Sequence, residues 1–294
     1  MVEFLNITKC FDGKTVLDNV SFSVKSGGVF GLVGTNGAGK STLLRLAAGV
    51  YSPDKGEVLI DGKRVFDSAE VKEKTVFISD EAYFPTGSSV SDIKQVYSVF
   101  YKNFDGGEFS RITEYLGFRP ESKIGSFSKG MKKQLSVAAA LACNTEYVFL
   151  DETFDGLDPV MRSYVKKLMY EKAEGKNTTF LLSSHDIRET ESLCDGVCII
   201  HAGKTVVCGD VFDITTDMVK VQVSFKDEKE PIFDGLDIVG LSSLGSVYTL
   251  IVRGGEEKIR EILMQKNPLI LDFLPLTLEE IFIYETEAVG YAEK

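Results

Sequence analysis

Residues Gly34-Thr35-Asn36-Gly37-Ala38-Gly39-Lys40-Ser41-Thr42 constrain this chain more than any other stretch. A buried-strand pattern, Gly28-Val29-Phe30-Gly31-Leu32-Val33, runs into them, and a helical pattern from Ser41 to Ala48 runs out. A glycine-rich turn between strand and helix lets successive backbone N–H groups point into one concavity. The helix N-terminus adds the positive end of its dipole. Such a loop suits the phosphates of a nucleoside triphosphate, with Lys40 reaching the β- and γ-phosphates and the Ser41 hydroxyl ligating Mg²⁺. The implied fold class is α/β, built on a P-loop NTPase core.

Downstream, Tyr147-Val148-Phe149-Leu150-Asp151-Glu152 is an apolar run ending in two carboxylates. This is the pattern of a buried strand delivering acids to the sheet's C-terminal edge, where open α/β sheets bind ligands. Asp151 is expected to hold Mg²⁺, directly or through water, and Glu152 to polarise the attacking water. Asp155-Gly156-Leu157-Asp158 comes next, and Ser183-Ser184-His185-Asp186 ends the following apolar run, Thr178 to Leu182. Ahead of them all, Phe127-Ser128-Lys129-Gly130-Met131 opens a helix rich in Ala and Leu.

In that order and at these separations, the motifs closely resemble the nucleotide-binding cassette of ATP-binding cassette (ABC) transporters, over nearly all of residues 2 to about 210. The resemblance implies that Gly34 to Thr42 bind ATP and that Phe127 to Met131 are the family signature, usually Leu-Ser-Gly-Gly-Gln. It makes Asp151 and Glu152 the magnesium and catalytic acids, Asp155 to Asp158 the dimer-facing loop, and His185 the switch histidine. Lys40, Glu152 and His185 are then the catalytic set. Phe11 occupies the place of the aromatic residue that stacks on adenine; core packing is its rival reading.

Departures from the family pattern are informative. Asp80 stands where the family has a Gln that helps hold Mg²⁺; Asp is also a hard oxygen ligand, although an acid after a strand is often a turn former. Lys129 replaces the signature's first Gly and Met131 its Gln, while Ser128 and Gly130 survive. Thr153 and Thr35 stand where Pro is common. None of these changes removes a catalytic group.

In the family each ATP site is completed across a dimer, so Ser128, Lys129 and Gly130 would serve the γ-phosphate in a second cassette's site. That second cassette is either another copy or a paralogue. No stretch of about 18 uninterrupted apolar residues occurs, so the resemblance implies separate transmembrane permease subunits. The N-terminus lacks a signal-peptide pattern, and five scattered cysteines suit a reducing compartment. The expectation is a cytoplasmic protein, peripheral at the inner face of the membrane. A net charge of −11 argues against a general nucleic-acid partner.

Organisation follows the same lines. Val2 to Ile7 and Val20 to Val24 alternate as an antiparallel layer, and residues from about 89 to 142 read as a helical insert. Ser91-Asp92 and Ser128 are its expected caps, and Asp105-Gly106-Gly107 a turn between its helices. We expect an ATPase domain over residues 1–212 and a small α+β appendage over 213–294. Its strands at Val219 to Phe225, Val247 to Val252 and Leu269 to Leu274, with a helix at about Glu256 to Gln265, suggest a βαβ-type unit. Leu276 to Phe282 resembles the C-terminal segment of export-type cassettes for drugs and peptide antibiotics; a tail helix packing on its own domain is the alternative. The expected function is ATP hydrolysis driving export through separate membrane subunits, the runner-up a soluble ABC ATPase acting on ribosomes or nucleic acid.

Overall fold

The computed structural model describes residues 1–226 and 233–288. They form two compact units, one of residues 1–186 with 200–205, the other of 187–199 with the residues from 206 on. Residues 187–199 and 206–212, assigned from sequence to the first domain, thus group with the second unit.

In chain order, β1 (Val2–Phe11) and β2 (Lys14–Val24) are followed by β3 (Gly28–Val33) and α1 (Lys40–Ala47). Next come β4 (Lys55–Ile60), β5 (Lys63–Arg64), α2 (Ala69–Glu73) and β6 (Thr75–Ile78). Three helices then fill most of the expected insert: α3 (Val90–Phe100), α4 (Gly106–Tyr115) and α5 (Lys129–Ala142). After them run β7 (Tyr147–Asp151), α6 (Pro159–Lys176), β8 (Thr179–Ser184), α7 (Ile187–Leu193), β9 (Gly196–His201), β10 (Lys204–Asp210) and α8 (Val211–Thr216). The chain continues with β11 (Met218–Ser224), β12 (Asp237–Leu244), β13 (Val247–Arg253), α9 (Glu256–Met264), β14 (Ile270–Leu274) and α10 (Leu278–Ala288).

In the first unit, β1 pairs antiparallel with both β2 and β4, giving the order β2-β1-β4-β5. One face of this layer is apolar: Val2, Phe4 and Ile7 of β1 are fully buried, as are Leu17 and Val20 of β2. Stacked rings, Phe4 on Phe22 at 4.3 Å and Phe22 on Phe30 at 6.2 Å, carry that face onto β3. There the parallel run β3-β8-β7-β6 begins, within a six-stranded sheet. Every residue of β7 and β8 is buried, as expected of parallel strands covered on both faces. Their register decides the site: Val33 lies beside Ser184, and Ser183 beside Asp151. The phosphate loop and the two acidic or His-bearing strand ends therefore emerge from one edge.

Two sequence expectations about the insert are corrected. Ser89, not Ser91, caps α3: its hydroxyl accepts the Asp92 N–H at 3.3 Å while Asp92 accepts the Ser89 N–H at 2.8 Å, a capping box. Asp105-Gly106-Gly107 is a helix start rather than a free turn, because Asp105 accepts the N–H groups of Gly107 and Glu108 and α4 begins at Gly106.

The second unit carries an antiparallel sheet of order β12-β13-β11-β14. Because β13 and β14 both run antiparallel to β11 between them, they are parallel to each other and joined by α9. This is a split βαβ unit with an additional strand, β12. Val221, Val223, Leu250 and Val252 pack under Ile259 and Leu263 of α9. Met218 and Ile251 meet Leu276 and Ile281 on the other side. Ion pairs from Lys220 to Glu280 and Arg253 to Glu285, each 2.7 Å, tie α10 to this sheet. The expected tail helix thus packs on its own unit.

Candidate nucleotide site

Gly34 opens the loop because nothing larger fits: a Cβ there would sit 2.0 Å from the Ile200 carbonyl oxygen. Gly39, at φ 108°, is the N-cap of α1, and no side chain caps this helix. The first-turn N–H groups that a Ser or Asp would otherwise take remain directed into the loop, free for an anion. Thr35, Asn36 and Gly37 are exposed at its rim, Ala38 is buried beneath, and Ser41 and Thr42 are half-buried in the first turn.

Lys40 is buried, its ammonium donating to Gly34 O at 2.7 Å and Thr35 O at 3.2 Å. It also lies 3.9 Å from Glu152 Oε1. Burial pushes its pKa below the ordinary lysine value, against the opposing pull of Glu152, Asp151 and Asp155. A cation held this way is already desolvated, between the loop carbonyls and the Glu152 carboxylate.

Asp151 is fully buried at the end of β7. Its Oδ1 accepts Ser41 Oγ at 2.8 Å and Ser183 Oγ at 2.7 Å. Its Oδ2 is buried without a hydrogen-bond partner, with Arg45 Nη2 3.7 Å away. An orphaned buried carboxylate oxygen beside a serine hydroxyl is a hard-oxygen donor set that fits Mg²⁺. Asp80, after β6, is half-exposed; its Oδ1 accepts the Glu81 N–H at 2.8 Å and lies 3.8 Å from Arg45 Nη2.

Glu152 sits at φ 44°, a left-handed conformation that costs a non-glycine residue about 1 kcal/mol or more. Both of its backbone polar groups are anchored: its N–H donates to Ser183 Oγ at 2.9 Å, and its C=O accepts the buried Lys133 ammonium at 2.7 Å. This turn swings the side chain off the strand toward Lys40. Ligand atoms of Glu152, Asp155 and His185 lie within 4.8 Å of one another, with His185 Nδ1 3.3 Å from Asp155 Oδ2.

The structure brings together the phosphate loop, Asp151, Glu152, Asp155 and His185. Other predicted residues lie elsewhere on the unit. Ser128 is the exposed N-cap of α5 and accepts the Met131 N–H at 3.2 Å, with Lys129 exposed beside it. Gly130 packs so near Gly156 O that a Cβ would stand 3.0 Å from it. Asp158 is used as the N-cap of α6, accepting the Val160 and Met161 N–H groups at 3.0 Å each. Phe11, at the end of β1, is 37% exposed and meets Tyr51 edge-on at 5.3 Å, which is not a core environment.

Three residues of the site were not singled out from sequence. Ser183 bridges Asp151 and Glu152, Lys133 anchors Glu152, and Arg45 spans Asp80 and Asp151. Arg45 had a readable signal, since it follows Ser41 by four residues on α1 and so shares its face. Lys133 had none, because only the tertiary fold carries α5 to the end of β7.

A glycine-rich anion cradle on a strand-to-helix turn, a buried lysine, a serine paired with a buried aspartate and a presented glutamate define a P-loop nucleoside triphosphatase. The ABC transporter domain pattern matches residues 17–155. The linearmycin resistance ATP-binding protein LnrL of Bacillus subtilis is 32% identical, over 88% of this chain and 84% of that protein. The B. subtilis ABC transporter ATP-binding protein YtrB is 28% identical, over 96% of this chain and 97% of the relative. A solved ATP-binding subunit of an ABC transporter superposes at a TM-score of 0.67 with 28% identity, covering 73% of this chain and 91% of that one. This chain belongs to the ABC transporter ATP-binding family, and it is an ATPase.

Proposed function

We propose that the chain powers export as one nucleotide-binding half of a transporter, closing with a second cassette around ATP and reopening after hydrolysis. The observation that carries this is the placement of Ser128: an intact signature serine, exposed at a helix N-terminus and hydrogen-bonded only within its own helix in the interactions described. Such a group, with the amides behind it, is suited to a γ-phosphate held by another cassette's phosphate loop.

In the active site, Gly34 to Thr42 hold the phosphates and Lys40 bridges the β- and γ-groups. Ser41 and Asp151 would hold Mg²⁺, with Asp80 near them on the other side of Arg45. The ion supplies charge neutralisation of the phosphates. Glu152 takes the proton of the attacking water, and His185, oriented by Asp155, donates toward the γ-phosphate. Phe11 offers its exposed ring face to adenine.

Among the described residues no helix is long and apolar enough to cross a membrane. The transporter family points to separate membrane-spanning subunits, with this chain peripheral at the cytoplasmic face. Export as the direction rests on likeness to a resistance protein. Affinity purification of the tagged chain from its native membrane tests this. A stoichiometric polytopic membrane protein is the expected partner; recovery with ribosomal proteins alone would overturn the proposal in favour of the soluble alternative.

A further inference from the structure

Two observations about the carboxylates of this site converge on Arg45. The first is that Asp151 Oδ2 is fully buried and without a hydrogen bond, although Oδ1 of the same carboxylate has two. A buried anionic oxygen left in that state needs a nearby positive charge. Arg45 Nη2 stands 3.7 Å from it. The second is that the same nitrogen stands 3.8 Å from Oδ1 of Asp80, the residue that replaces a neutral amide and adds a negative charge beside the site. Neither distance is a hydrogen bond, and Arg45 is committed to neither partner. One guanidinium group is shared between a half-exposed acid on the loop after β6 and a buried acid on β7.

We propose that Arg45 is a positioning residue of the magnesium site: it balances the extra charge of Asp80 and links that loop acid to Asp151, so that Asp80 acts on the metal site through Arg45. The guanidinium group suits this role, because it is planar, permanently charged and able to face two carboxylates at once. Its position on α1, one turn beyond Ser41, keeps it beside the metal-holding hydroxyl whatever the Asp80 loop does. Movement of that loop would draw Arg45 toward or away from Asp151 and so change the charge presented to the ion. The inference rests on the assignment of Ser41 and Asp151 as the residues that hold magnesium.

The test measures metal binding rather than turnover. Mn²⁺ serves as the paramagnetic stand-in for Mg²⁺, titrated by electron paramagnetic resonance into the full chain with ADP present at saturation. Arg45→Met removes a positive charge from beside Asp151, so Mn²⁺ is expected to bind at least about threefold more tightly. Arg45→Lys should return affinity most of the way to wild type. Asp80→Asn should weaken Mn²⁺ binding in the wild-type background and do so much less when combined with Arg45→Met. Unchanged or weaker Mn²⁺ binding in Arg45→Met, or an Asp80→Asn effect of equal size in both backgrounds, overturns the inference; the second result would make Asp80 a direct ligand. Ser41→Ala separates the two levels: if it leaves Mn²⁺ binding intact, the assignment of the metal site itself fails.

Discussion

Lys40 illustrates how a side chain can be prepared for a ligand by its own loop. Its ammonium is buried against two loop carbonyls, and burial lowers its pKa although three carboxylates oppose the shift. The neutralising partners it faces are weaker than a phosphate would be. Lys40→Ala is therefore expected to reduce ATP affinity by about 10- to 100-fold, the range for hydrogen bonds to charged groups. Calorimetric titration with a non-hydrolysable ATP analogue measures it. Because a desolvated cation is removed, the melting temperature should fall little, so a loss of binding explained by unfolding would contradict this account. At the adenine end, Phe11→Ala should raise the ATP KM about fivefold, for stacking worth about 1 kcal/mol. An unchanged KM with a lowered melting temperature would favour a packing role. At this scale the sequence was readable wherever the motif is contiguous, as at Gly34 to Thr42 or Asp151-Glu152. It was silent where the partner comes from a distant element, as with Lys133 and Glu152, or where a residue's use is local, as with the capping carboxylate of Asp158.

Elements were legible in proportion to their hydrophobic periodicity. The strands β3, β7 and β8 are near-continuous apolar runs and were placed within a residue or two. β12 was not anticipated: Asp237–Leu244 carries a glycine and two serines, and none of its residues is fully buried. The cap of α3 was misplaced because Ser89, Ser91 and Asp92 lie together and only backbone geometry shows which hydroxyl faces the open amides. Ser89→Ala should cost about 1 kcal/mol, whereas Ser91→Ala should cost clearly less; paired urea melts decide between them. The box also carries a pH dependence. Accepting the Ser89 N–H and O–H groups holds the Asp92 carboxyl below the usual carboxylate range. Its contribution is thus present above the ordinary aspartate pKa and disappears as the pH falls through the lowered value. The difference in stability between wild type and Ser89→Ala should therefore be constant near neutrality and shrink in acid below about pH 4.

For the whole molecule the question is how hydrolysis is joined to assembly. Glu152 sits in a strained turn anchored by Ser183 and Lys133, and Lys133 belongs to α5, the helix that Ser128 caps. One helix therefore presents Ser128 outward at its N-terminus and, five residues later, grips the strand end that carries Glu152. This arrangement gives a physical route by which engagement of Ser128 with a second cassette could bear on the placement of Glu152. Glu152→Gln keeps the shape of the side chain and these backbone anchors but removes the carboxylate that we propose takes the water proton. ATP should then bind and close the dimer without being cleaved, and closed dimers should accumulate. Light scattering with ATP and Mg²⁺ should show a species of twice the monomer mass in Glu152→Gln, absent when ATP is omitted. Adding Ser128→Arg should abolish it by placing a bulky cation in the shared interface, with the melting temperature of the monomer little changed because Ser128 is exposed. A double variant that dimerises as well as the single one, or a Glu152→Gln chain that hydrolyses ATP at the wild-type rate, would rule out a composite site built from two cassettes.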